Sequence, residues 1–109
     1  MGFKVNTKKS IFKPIEIEID GKVYEIKKIT TEILEEVSKY EEEARQGKIG
    51  ALVRQLVAVS GGAIPESVAK KIDIRDIIGI LDYISKCIYN PEKVENEVEK
   101  KKENIRKKK

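Results

Sequence analysis

The residues that ordinarily carry chemistry are nearly missing from this chain of 109 residues. It has no histidine, which removes the commonest general base and metal ligand near neutral pH. With a single cysteine, Cys87, neither a zinc-binding spacing nor a Cys–His or Ser–His–Asp nucleophile can be assembled. Gly61-Gly62 is followed by Ala63-Ile64-Pro65-Glu66 rather than by the Gly-Lys-Ser/Thr that cradles phosphates. Carboxylates are plentiful, yet they fall on the exposed faces of predicted helices, away from apolar pockets that would raise a pKa. The expectation is a protein that is not an enzyme and uses no metal or cofactor. What remains is binding through apolar and charged surfaces.

Charge is distributed unevenly. Residues 1–14 hold four lysines and no acid, residues 15–91 carry a net −3, and residues 92–109 a net +3, making the +4 of the whole. The pI of about 9.1 therefore belongs to the two ends, and the body between them is mildly acidic. This pattern divides the chain into a flexible basic arm (1–14), one globular domain (15–91) and a charged C-terminal extension (92–109). The domain is large enough for one modest core with a thin stability margin, which a partner or self-association would relieve. A lone Cys87 among isoleucines reads as a buried thiol in a reducing compartment. No leader-like apolar stretch opens the sequence, so a soluble, cytoplasmic protein is expected.

The element around which the domain must be organised is the stretch Ile49–Ser60, in which only Arg54, Gln55 and Ser60 are strongly polar. A helix here is apolar around most of its circumference and must be covered on several sides. It is too short to cross a bilayer, which takes about 20 apolar residues. Its expected neighbours are the helices before and after it and the inner face of a hairpin, with Arg54 and Gln55 left at the surface.

Those neighbours are legible in order. Ile15-Glu16-Ile17-Glu18-Ile19 alternates strictly, Asp20-Gly21 suits a type I′ turn, and Lys22-Val23-Tyr24-Glu25-Ile26 continues the β pattern. The hairpin is expected over about 15–29, its outward glutamates facing lysines across the strands. Thr30-Thr31-Glu32 opens a helix over about 31–46 whose apolar side is Ile33, Leu34, Val37, Tyr40 and Ala44. Glu41-Glu42-Glu43 reads as a solvated face or a docking surface for a basic partner. Helices follow over about 49–60, 65–72 and 73–90, with Gly61-Gly62 ending the first and Asp73 capping the last. On that last helix Ile74, Ile77, Ile78, Leu81, Ile84 and Ile88 form one stripe and Ile80, Tyr83 and Cys87 a second edge. The widened face serves either as extra cover for the central helix or as a partner surface, and in the second case Ile80 and Tyr83 are the candidate partner-binding residues. The fold class is α+β, mostly α: an N-terminal hairpin, then a small bundle of about four helices.

Nucleic-acid binding is the alternative function. The lysine-rich ends can meet phosphates without sequence preference. A helix–turn–helix fitted to residues 49–72 offers only Lys70 and Lys71 against Glu66, without the Arg/Asn/Gln set that reads base edges.

The order strand, Asp20-Gly21, strand with Tyr24-Glu25-Ile26, then Thr30-Thr31-Glu32, resembles the start of tail assembly chaperones of long-tailed bacteriophages and prophages. Leu52–Val59 with Gly61-Gly62, and Ile77–Ile88 closing on Asn90-Pro91-Glu92, are similar to later features of that family. The resemblance covers residues 15–92 and is one of pattern and order. It implies a non-enzymatic protein of the bacterial host cytoplasm that binds the tape measure protein during tail assembly. The binding mode it implies is capture of amphipathic helices until the tail tube polymerises around them, with self-association of the chaperone. Arg106-Lys107-Lys108-Lys109 fits the lysine-codon runs at which genes of this family shift reading frame. No functional residue is transferred from the family.

Overall fold

The computed structural model describes residues 2–90; the C-terminal extension expected over 92–109, with its lysine run, lies outside the described residues. The element order is β1 (Ile15–Ile19), β2 (Lys22–Ile26), α1 (Thr31–Arg45), α2 (Ala51–Val59), α3 (Glu66–Ala69) and α4 (Ile74–Tyr89). This is a mixed α+β fold, mostly helical, with the hairpin at the N-terminal side. In residues 2–14 the regular pairing is limited to an isolated bridge between Asn6 and Lys9, where Lys9 N donates to Asn6 O at 3.3 Å and the Asn6 carboxamide accepts from Lys8 N at 2.8 Å. Among the described residues, no helix is long and apolar enough to cross a membrane.

The two strands pair antiparallel, with Ile15 opposite Ile26, Ile17 opposite Tyr24 and Ile19 opposite Lys22. Asp20 (φ 52°) and Gly21 (φ 79°) both take the positive φ that a two-residue type I′ turn demands. The side-chain period of two then puts Ile17, Tyr24 and Ile26 together on the buried face. On the other face the register corrects the expected charge pairing. Glu16 stands opposite Glu25 and Glu18 opposite Val23, so no lysine faces either glutamate across the strands.

Each helix boundary has a local cause. Thr30 caps α1, its hydroxyl accepting from Ile33 N at 3.3 Å, and Asp73 caps α4, its carboxylate accepting from Arg75 N at 2.8 Å. At the far end of α2, Gly62 N donates to Val57 O at 3.1 Å and Gly61 N to Ala58 O at 3.0 Å, a Schellman closure. The closure needs a left-handed residue after the cap, and Gly61 supplies it with φ 64°. Ser60 completes this corner: its hydroxyl donates to Val57 O at 2.8 Å and accepts from Ile64 N at 3.1 Å. The helix itself starts later than the sequence pattern suggests. Gly50 turns left-handed (φ 91°) ahead of Ala51, leaving Ile49 98% exposed outside the helix.

α2 is the middle of the bundle, packed against α1, α3 and α4, while the hairpin reaches the bundle chiefly through β1 on α4. Leu56, Ile64, Ile77 and Ile84 are the largest fully buried side chains, one from α2, one from the corner after it and two from α4. Val57 is only half-buried; the deepest α2 side chain is Leu56. Gln55, expected at the surface, is buried, and its carboxamide donates to Glu41 Oε1 at 3.4 Å. Arg54 stays partly exposed, donating to Glu43 Oε2 at 3.4 Å with its guanidinium 5.8 Å from the centre of the Tyr40 ring. Glu41 and Glu42 are exposed, as a solvated face requires, while Glu41 and half-buried Glu43 also reach α2 through Gln55 and Arg54.

Truncating Leu56 to Ala removes a fully buried side chain that the surrounding helices cannot collapse to refill. It is expected to lower the unfolding free energy by about 2–5 kcal/mol. Arg54→Ala loses a half-exposed ion pair and a ring contact, and is expected to cost about 1 kcal/mol or less. Urea denaturation of the two variants beside the parent chain checks both numbers. A larger loss for Arg54→Ala than for Leu56→Ala would contradict this packing.

Candidate functional site

A groove of about 810 Å³ opens between β1, α3 with the turn after it, and the first half of α4. Its apolar surface comes from Ile17 and Ile19 on β1, Val68 and Ile72 at α3, and Ile80 and Tyr83 on α4. Glu16, Glu18 and Asp20 line it from the strand side, and Asp73, Asp76, Lys71 and Arg75 from the helix side. Five carboxylates against two cations make it acidic, and Arg75 is already engaged with Asp73 at 2.8 Å. That bond holds the Asp73 carboxyl below the usual carboxylate range. Both groups are exposed to solvent, so the pair organises the start of α4 and adds little to stability.

The strand wall has its own chemistry. A two-residue turn makes Ile19 and Lys22 a hydrogen-bonded pair, and bonded and non-bonded pairs alternate along an antiparallel ladder. Ile15, Ile17 and Ile19 therefore direct their backbone groups towards β2, and Glu16 and Glu18 direct theirs away from it. Among the described residues the sheet has two strands, so this outer edge of β1 has no neighbouring strand there and lies along the groove. Glu16 and Glu25, opposite each other at a non-bonded position, add a like-charge contact on the outward face.

Ile80 and Tyr83, the partner-binding residues expected from sequence, are both half-buried and both line this groove. They face β1 rather than standing as an outer edge. The most open apolar surface of α4 is a different stripe: Ile74 at 60%, Ile78 at 53% and Tyr89 at 73% exposure, joined by half-buried Leu81. Buried Ile77 and Ile84 occupy the adjacent, core-facing side. Sequence reasoning placed Ile74 and Ile78 in the core stripe because their spacing from Ile77 and Leu81 suits either face. Gly79, between Ile78 and Ile80, is the signal it passed over. A side chain there would meet nothing within 4 Å, so the glycine leaves the groove wide rather than relieving a clash.

Burial lifts the Tyr83 phenol above its ordinary value of 10.0, with the adjoining Cys87 thiol and then Glu16 adding to the effect. Cys87 is half-buried and in hydrogen-bonding contact with that phenol. Among the described residues, no group of three or more His, Cys, Asp or Glu is placed to hold a metal ion. The arrangement suits recognition: an apolar trough with unpaired backbone groups along one wall and excess negative charge on its rims.

Compared with known proteins, the chain matches no family model, no curated protein and no solved structure.

Because the folded chain holds the Tyr83 proton to higher pH than the unfolded chain does, stability is expected to fall as pH rises beyond 10. Difference spectra between the parent and Tyr83→Phe should show this phenol titrating above 10. Glu16→Gln should move it partway back, since burial is the larger cause. An unmoved titration in Glu16→Gln would show that the β1 wall is farther from Tyr83 than the structure has it.

Proposed function

We propose that this protein is a tail assembly chaperone, binding amphipathic helical segments of a phage tape measure protein and shielding them during assembly. The observation that carries the reading is the open stripe Ile74–Ile78–Leu81–Tyr89 on α4. An apolar face on a helix already backed by a core is a preformed ridge against which another amphipathic helix can lay its own face. The order of elements over residues 15–92, similar to that family, supplies the identity of the partner. The protein acts without catalysis. It lends apolar cover to a long helical chain and gives it up when the tail tube takes over that role.

Contact with nucleic acid through the basic ends is the competing reading. The hairpin works against it, since Glu16, Glu18, Asp20 and Glu25 are all exposed and repel a phosphate backbone.

Co-expression of the full chain with the tape measure protein encoded beside it should yield a complex that survives gel filtration. Ile78→Asp, at an exposed position, should leave the far-UV spectrum and melting temperature unchanged. It should weaken capture at least tenfold, about 1.4 kcal/mol. Failure of the parent chain to retain any tape measure segment, together with DNA binding of steep salt dependence, would replace this reading with the nucleic-acid one.

A further inference from the structure

The groove and the N-terminal arm are complementary halves of one contact. On the groove side, the outward N–H and C=O groups of Glu16 and Glu18 have no strand beside them among the described residues, where β1 pairs with β2 alone. A helix laid in this trough would take those groups out of water without pairing them, at about 1–3 kcal/mol each. An extended segment would pair them and place alternate side chains on the apolar floor. The occupant must therefore be a strand. Its second requirement is positive charge, because the rims are acidic and Glu16 already stands against Glu25.

The arm meets both requirements. Phe3-Lys4-Val5-Asn6 alternates apolar and polar, so one face of a strand would carry Phe3 and Val5 and the other Lys4 and Asn6. Phe3 is 81% and Val5 70% exposed, an unusual amount of open apolar surface for four residues of chain. Residues 2–14 contain four lysines and no acid. The arm does not fill the groove of its own copy. Its middle is held at the exit of β2, where Lys28 Nζ donates to Thr7 O at 3.1 Å.

We propose that the arm of a second copy lies in the groove as a third strand on the outer edge of β1. Phe3 and Val5 rest on the floor formed by Ile17, Ile80 and Tyr83, and Lys4 lies beside Glu16 and Glu18. The contact is heterologous, arm to groove, so a pair joined by one such contact keeps one free arm and one free groove, and unless the two arms exchange reciprocally the assembly adds copies as concentration rises. It uses the face of α4 opposite to the open stripe and is independent of the proposed chaperone function.

Full-length chains test it by charge exchange, read by sedimentation velocity across a concentration series. The parent chain is expected to form growing oligomers that weaken with added salt. The double variants Glu16→Lys/Glu18→Lys and Lys4→Glu/Lys8→Glu, all at exposed positions, should each stay monomeric, with association weakened at least tenfold. An equal mixture of the two should associate again, because each arm then meets a groove of opposite charge. Gly79→Leu, which fills the trough without altering any charge, should also leave a monomer with an undiminished melting temperature. A parent chain that is monomeric at every concentration would overturn the proposal. So would oligomers that persist in Gly79→Leu or Lys4→Glu/Lys8→Glu, or a mixture that fails to restore association.

Discussion

The structure depends on covering α2. Nine residues of helix with Leu56 completely enclosed and Ala51, Ala58 and Val59 buried around it can show only a half-covered strip to water. A chain in which 39% of residues are charged has a limited supply of apolar side chains for that task. α1 covers one side, α3 and the Ser60–Ile64 corner close one end, and α4 covers another side. Even the polar residues of α2 are turned to this purpose. Gln55 and Arg54 take partners from α1, so the seam between the two helices is closed by Glu41 and Glu43 rather than left to solvent.

Cover for α2 leaves little to cover the coverers. α4 presents Ile77 and Ile84 inward, and the hairpin presents Ile17, Tyr24 and Ile26, but each has a second surface that the described residues leave uncovered. On α4 that surface is the stripe from Ile74 to Tyr89. On the hairpin it is the bare edge of β1, with the acidic face beside it. A two-stranded sheet is marginal on its own, and here it depends on packing against α4 along one strand. The same shortage of apolar material that concentrates the core also produces the open faces through which the protein can bind.

Electrostatics sorts those faces. Glu16, Glu18, Asp20 and Asp76 give the groove a negative rim, whereas the α4 stripe carries no charge at Ile74, Ile78, Leu81 or Tyr89. The first surface has the charge to suit basic segments and the second the apolarity to suit helical faces. Tyr83 sits at the join, sharing the groove floor with Ile80 and linked to Cys87 on its own helix.

Much of this was determined by the sequence alone, because it is local. The strict alternation of 15–19, the Asp20-Gly21 turn, the Thr30 and Asp73 caps and the Gly61-Gly62 stop each act within a few residues, and the hairpin and four helices stand where they indicate. The pairing of Glu16 with Glu25 was legible too, by counting back from a two-residue turn, although alternation by itself suggested lysines there. What tertiary structure decided is which apolar face is inside. The isoleucines of 74–88 are spaced to serve a core on either side of α4, and only the position of α2 selects Ile77 and Ile84 and leaves Ile74 and Ile78 in water. Likewise nothing near Gln55 or Glu41 in the chain foretells their contact, because it joins residues fourteen apart across two helices. Local rules specify elements and their ends; the choice between two equally apolar faces is made by long-range packing.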